Sequence, residues 1–338
     1  MSQSQDPRAD AVQDLRSKVT AYRISQAIHL MVSLGIADEL EHGPGSLEQI
    51  ADSCGADHVS LNRVLRALVT AGLVTADRGL FALTPAADPL RSQAPDSIAN
   101  WVSTVSREQF TAWGGLEHAV RTGEVAFERV HGISFWDHLD RDREAARLYD
   151  LGMAESAREA CAHLLRSRDL DMLKVVCDLG GGHGATLAAL LNEAPHLRGV
   201  LLDVPKVIDG AAGYLARAGV ADRCDLVSGS FLDDVPSGAD AYLLCRVLGD
   251  WDDRSAQRVL ENCRSAMAPG ARLWILGGLS GTESSAPGLL DLHLMVLTGG
   301  GERTEEQTTE LVERAGLRVA EVVHDDHGRV SLVEAVAP

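Results

Sequence analysis

The sequence predicts an α/β protein: a doubly wound, mostly parallel sheet with an antiparallel edge hairpin, preceded by an all-α, winged-helix domain. Three observations carry that expectation. From Lys174 onward, strand-like and helix-like segments alternate, the pattern of a parallel sheet covered by helices on both faces. One strand runs into a turn with four glycines in the five positions 180–184. Before Lys174 the apolar residues recur mainly at helical spacing.

In the first part of the chain, Ile24, Ala27, Ile28, Met31 and Leu34 mark an apolar face within a helical stretch over 12–40. Ser46 caps a short helix through Leu47-Glu48-Gln49. A second helix spans about 59–71 and stops at Gly72, and two β-prone pieces, 73–75 and 80–83, flank Asp77-Arg78-Gly79. Helix, turn, helix and hairpin in this order make a winged helix. Such a module either reads DNA or joins protein surfaces. Its second helix offers Arg63 and Arg66, but Asp52, Asp57 and Asp77 surround them and the formal net charge of the chain is −18. Phosphate binding draws on Lys and Arg, so the structural use is expected and a nucleic-acid partner is not. Residues 95–168 read as helices, and the run 143–165 links two domains.

Composition narrows the class further. A chain of 338 residues suits two domains. No apolar run is long enough to cross a bilayer, and the polar N-terminus lacks the apolar core of a secretory signal. The six cysteines form no CxxC pair, which points to reduced thiols, no zinc site and a cytoplasmic protein.

In the second half, 175–178, 199–203, 224–227, 240–245 and 272–276 read as strands, and 183–192, 205–218, 255–267 and 304–315 as helices. The last strands, 317–323 and 330–335, follow each other without a helix, as an edge hairpin does. The sharpest motif is Val176-Cys177-Asp178-Leu179-Gly180-Gly181-Gly182-His183-Gly184. Glycine admits positive φ and lets a ligand reach the backbone, and a helix start offers free N–H groups. Asp203 ends the next strand, where a carboxylate accepts hydrogen bonds from ribose hydroxyls in a Rossmann-like sheet. Gly180, Gly182 and Ala185 also satisfy the loose dinucleotide pattern. Asp178 argues for a different ligand: a carboxylate here repels pyrophosphate and suits the cationic amine and sulfonium of S-adenosyl-L-methionine (SAM).

With these residues on the page, the chain resembles the plant-type (caffeic-acid-like) SAM-dependent small-molecule O-methyltransferases, in their bacterial natural-product branch. The matching pieces are Asp178 to Gly184, Leu202-Asp203-Val204-Pro205, Gly229-Ser230-Phe231, the run from Arg246 to Asp253, Ala268-Pro269-Gly270, and Asp291 to Thr304 with Gly-Gly-Gly-Glu-Arg-Thr. The resemblance implies a winged-helix dimerisation domain over 1–95, linker and substrate-pocket helices over 96–170, and a SAM-methyltransferase sheet over 171–338. It also implies an intertwined homodimer in which the N-terminal domain helps close the partner's pocket. Asp178, Gly180, Gly182, Asp203, Ser230, Phe231 and Arg246 are then expected to bind SAM, with S-adenosyl-L-homocysteine as product.

The departures from the family bear on mechanism. Relatives carry a base histidine where this chain has Gly249, and an acid that holds it where this chain has Gly277 followed by Gly278. Ser230 stands where an aspartate usually meets adenine. Positioning alone supplies effective molarities of about 10⁵–10⁸ M, while a general base adds about 10²–10⁴-fold. Methylation of a hydroxyl on an aromatic or polyketide-like metabolite, by positioning, is therefore the leading expectation. The alternative is a repurposed SAM-binding fold for hydroxylation, decarboxylation, cyclisation or pericyclic chemistry, the glycines enlarging the pocket. A more remote one is a winged-helix regulator with a degenerate enzyme domain.

Candidate catalytic residues are Asp250 and His293, the latter as a replacement base or substrate donor. Met153, Trp251 and Gly249 are candidates for the substrate, though packing is the commoner fate of a linker-helix Met. His183, His131 and His138 read as structural. Carboxylates gather at Asp233-Asp234 and Asp250 to Asp253, but the second group opens a helix, where acids are favoured by the dipole, and no metal is expected.

Overall fold

The computed structural model describes residues 7–281 and 287–338, so the first six residues of the polar leader lie outside the described part. The chain divides into two compact units, one ending at Glu108 and one running from Gln109 to Pro338. The helical middle of the chain is shared between them.

In the first unit, the stretch expected to be helical over 12–40 is three helices: Pro7–Val19, Tyr22–Ser33 and Ile36–Glu39. Gly35 makes the second break, adopting φ of 69°, a left-handed conformation that glycine enters without steric penalty. The winged helix follows. Gly45–Ser46 forms β1, Leu47–Cys54 and His58–Thr70 are helices, and β2 (Val74–Asp77) and β3 (Leu80–Leu83) complete a small sheet ordered β1-β3-β2. Ser46 and Gln49 close a capping box at the first of these helices. Met31, Ile36, Ile50, Leu65 and Leu68 are fully buried and form the core of the unit. Val12, Leu15, Val19, Tyr22 and Ile24 on the first two helices are instead exposed.

The second unit opens with short helices, including Leu116–Thr122, Ala126–His131 and Phe135–Arg141, and then the long helix Arg143–Ser167. Seven strands follow: β4 (Val175–Leu179), β5 (Arg198–Asp203), β6 (Cys224–Ser228), β7 (Ala241–Cys245), β8 (Arg272–Gly277), β9 (Arg318–His324) and β10 (Ser331–Val336). Their order is β6-β5-β4-β7-β8-β10-β9. The β4–β8 pairings are parallel, and β10 runs antiparallel to both β8 and β9. The expected terminal hairpin is present, with β9 as the edge and β10 inserted against β8.

Both faces of the sheet are covered, and the strands show it in alternation. On β7, Tyr242 and Leu244 belong to one apolar cluster while Ala241 and Leu243 belong to the other, as a period of two requires. The sheet order reverses beside β4. A crevice at the carboxyl ends of strands is where such sheets bind ligands, and Asp178, Asp203, Arg246 and Gly277 all stand there.

One expected outcome concerns the helix Glu305–Arg314, whose N-cap Thr304 accepts the Gln307 N–H at 3.1 Å while Gln307 Oε1 accepts the Thr304 N–H at 2.9 Å. Thr304→Ala removes half of that box and should cost about 1 kcal/mol in chemical denaturation. An unchanged midpoint would show that the cap contributes nothing.

Candidate active site

The glycine loop is built around buried charge. Asp178 is fully buried, and neither carboxylate oxygen has a hydrogen-bond partner. Burial, and secondarily the charge of Asp203, push its pKa up to about 7. The chain tolerates this group only by wrapping it in glycine. A Cβ on Gly181 would collide with the Asp178 carboxylate, and one on Gly180 (φ 68°) would lie 2.9 Å from the Phe231 ring. Gly182 (φ 61°) faces open space at the Cβ position. The helix expected from 183 begins at Ala185, after Gly184 in the left-handed region.

Asp203 holds the loop from the side. Its Oδ2 accepts the Gly182 N–H at 2.9 Å and its Oδ1 accepts the Val204 N–H at 2.7 Å. Burial pushes its pKa to about 6 despite those bonds, and Asp150 adds to the rise. Asp150 comes from the long helix and meets His183 at 3.1 Å. His183 is the countercharge that lowers Asp203, whereas Asp178 draws no cationic relief. Neither Asp150 nor its partnership with His183 was legible from spacing. Met153 is half-buried one turn further along that helix.

Beyond the loop, Phe231 packs edge-on to Trp251 at 5.9 Å, and Trp251 stacks on Trp136 at 6.2 Å. Tyr149 packs edge-on to Trp136 at 5.9 Å. Ser230 Oγ accepts the Leu232 N–H at 3.2 Å and so shapes the turn after β6.

The segment after β7 forms the other wall. Arg246 adopts φ of 57°, unusual for a residue with a side chain, and its N–H donates to Leu276 O at 2.7 Å. Its charge opposes the rise of both Asp250 and Glu302, which burial pushes to about 7. The turn carrying Gly249 and Asp250 is clamped by the glycine-rich segment that precedes Thr304. Gly301 N donates to Gly249 O at 2.9 Å, and a Cβ on Gly300 would strike the same carbonyl. Arg303 donates to Leu248 O and Trp251 O, each at 2.8 Å, and pairs with Asp253. Asp291 Oδ1 accepts the Glu302 N–H at 2.8 Å. A Cβ on Gly249 would meet Leu294 Cδ1 at 3.2 Å.

His293 lies in a different environment from a free base. Trp113 Nε1 can only donate, and it donates to His293 Nδ1 at 3.3 Å. That fixes the proton on Nε2, which donates to Gln109 Oε1 at 3.2 Å. Burial lowers the pKa of the ring. Both nitrogens are engaged, an arrangement that anchors a wall. His131 and His138 pack on Phe127. Among the described residues, no group of three His, Cys, Asp or Glu gathers as a metal site. Asp252 caps the helix Asp253–Ala266.

Asp150, Asp178 and Asp203 outnumber the cations around them, so the crevice fits a cationic ligand and not a pyrophosphate. Asp203 and the Gly180–Gly182 loop would hold SAM, with Phe231 and Ser230 beside them. The comparisons decide the family. Residues 113–318 match the O-methyltransferase domain, and residues 18–92 match the O-methyltransferase dimerisation domain. The chain belongs to the O-methyltransferase family. It is 36% identical to the phenazine O-methyltransferase PhzM of Lysobacter antibioticus, over 95% of each chain. It is also 36% identical to the mitomycin biosynthesis 6-O-methyltransferase of Streptomyces lavendulae, over 92% of this chain and 90% of that one. The crystal structure of NcsB1, an O-methyltransferase from neocarzinostatin biosynthesis in complex with SAM and 2-hydroxy-5-methyl naphthoic acid, matches with a TM-score of 0.81. Its identity is 32%, over 93% of this chain and 96% of that one.

These findings make the chain a SAM-dependent methyltransferase whose first unit carries the family's dimerisation domain, which supports a homodimer. The repurposed, non-methylating readings and the regulator reading gain no support from them. No described helix is long and apolar enough to cross a membrane.

The buried Asp178 has a consequence for stability. Its pKa is raised from 3.8 to about 7, so between those values the folded chain keeps a proton that the unfolded chain has released. Stability without ligand therefore falls as pH rises through that window. Asp178→Asn should remove this loss and exceed the wild type in unfolding free energy at pH 8, measured by chemical denaturation, by a few kcal/mol, at about 1.36 kcal/mol per pKa unit. Parallel pH profiles of the two proteins would contradict it.

Proposed function

We propose that this chain methylates a hydroxyl of an aromatic or polyketide-like secondary metabolite, in the cytoplasm, with SAM as donor. The reading rests above all on Asp178, Asp203 and Asp250, three carboxylates with raised pKa values at one end of the sheet. This set matches a cationic methyl donor. The substrate class is supported by the phenazine, mitomycin and naphthoic acid named in the relatives, and the cytoplasmic reading by six unpaired cysteines.

SAM, when bound, supplies a methyl group already activated on a sulfonium. The work left to the protein is placement. Asp203 receives the ribose hydroxyls, Asp178 balances positive charge beneath the loop, and Phe231 with Ser230 flanks the adenine. Burial raises Asp250 to about 7 and Arg246 opposes that rise, so that in its charged form Asp250 accepts a hydrogen bond from the substrate hydroxyl and orients it. Trp251, Gly249 and Met153 border the acceptor ring, and His293, neutral and held by Trp113 and Gln109, keeps that wall in shape. The dry setting strengthens each of these contacts.

Labelled SAM and a panel of hydroxylated phenazines, naphthoates and quinones test this. One methyl should appear on oxygen for each S-adenosylhomocysteine released. An acceptor converted without label would overturn the reading. Calorimetry offers a second test: Asp203→Asn should weaken S-adenosylhomocysteine binding about 10- to 100-fold, the loss of one hydrogen bond to a charged group at about 1.5–3 kcal/mol. Unchanged affinity would remove Asp203 from the cofactor set.

A further inference from the structure

Glu302 is the acid of the Gly-Gly-Gly-Glu-Arg-Thr segment. It follows the glycines that clamp the Gly249 turn, and its own N–H is held by Asp291. Its Oε2 is buried and has no hydrogen-bond partner. Leaving a buried carboxylate oxygen unpaired costs a few kcal/mol, so the group is kept for something other than stability.

The neighbouring glycines explain how it fits. A Cβ built on Gly278 would run into Glu302 Oε1, whereas one built on Gly277 would meet nothing within 4 Å. Glycine at 278 is thus a condition for the position that Glu302 takes, at the end of β8 and beside the Gly249 turn. The place where relatives are expected to keep a histidine and its acid is here cleared of side chains, and a carboxylate stands next to the clearing.

We propose that Glu302 is the proton acceptor for the substrate hydroxyl, a carboxylate acting in place of the histidine missing at Gly249. The proposal rests on the methyl-transfer reading above. In the step, the substrate O–H bond breaks and its proton passes to Glu302 Oε2. The electron pair of the oxygen forms the new O–C bond, and the pair of the breaking C–S bond stays on sulfur, leaving a neutral thioether. Glu302 then returns the proton to solvent.

The other candidates are less suited to the task. His293 has both ring nitrogens engaged. Asp250, which burial also raises to about 7 against Arg246, stands on the turn that Gly300 and Gly301 clamp and serves to orient the hydroxyl. Burial, and secondarily Asp291 beside it, raise Glu302 to about 7 against Arg246, and what separates it is its unpaired Oε2 next to the cleared Gly278 position.

The test uses the full chain with saturating SAM and an accepted phenolic substrate. In the wild type, kcat/KM should rise with pH and level off above about 7. Glu302→Gln should lose about 10²–10⁴-fold and lose that limb, with S-adenosylhomocysteine affinity within a factor of two of the wild type. Glu302→Asp should recover part of the rate. Gly278→Ala, which displaces the carboxylate without removing it, should lower kcat in the same direction while cofactor binding holds. A readout independent of turnover is the infrared absorption of protonated carboxyl groups: the wild-type minus Glu302→Gln difference spectrum should show one carboxyl component that titrates near pH 7, and the absence of such a component would overturn the assignment. Wild-type protein that forms no S-adenosylhomocysteine from any hydroxylated acceptor overturns both readings. Turnover in which Glu302→Gln keeps the wild-type rate and pH limb overturns the assignment of Glu302 alone.

Discussion

The candidate site in the second unit is arranged around carboxylates kept out of water with too little positive charge to balance them. Asp178 beneath the loop, Asp203 at its side and Asp250 on the far wall all sit well above the usual carboxylate range because burial disfavours their charged forms. A fold does not gather such groups without a reason, since each costs stability near neutral pH. In the function proposed above, their joint position at the carboxyl ends of β4, β5 and β7 turns that cost into recognition. A ligand carrying an ammonium and a sulfonium relieves it, and the fold is the one whose crevice opens at those strand ends.

Glycine makes the arrangement possible, at different positions for different reasons. Gly181 yields room to Asp178, Gly180 to Phe231, Gly300 to the Gly249 carbonyl, and Gly278 to Glu302. In each case the excluded atom would be a Cβ in contact with a functional group or with the backbone beside one. Arg303 then fixes the wall from outside by binding two carbonyls of the turn. The backbone segments of the site are packed on one another as well as hung from the sheet.

Much of this was open to reading from the chain itself. The strand, the glycine turn and the next helix obey local rules, so Asp178 and Asp203 could be placed at strand ends from periodicity alone. Gly249 and the Gly277-Gly278 pair stood out because their neighbours matched a known pattern. What stayed hidden was the pairing of residues far apart in sequence. Asp150 reaches His183 from a helix whose pattern shows only an apolar face. The environment of His293 is set by Gln109 and Trp113, about 180 positions away, so its engagement on both nitrogens could not be inferred from the helix that carries it. Glu302 was visible within Gly-Gly-Gly-Glu-Arg-Thr, but only the contact with Gly278 singles it out.

The most direct measurement is the number of protons exchanged when SAM binds, obtained by calorimetry at pH 6.5 in buffers of different ionisation enthalpy. A cationic ligand meeting partly protonated carboxylates must lower their pKa values, so binding should release protons, and Asp178→Asn should reduce the release. Proton uptake, or no exchange in the wild type, would contradict a site built on buried, under-compensated carboxylates.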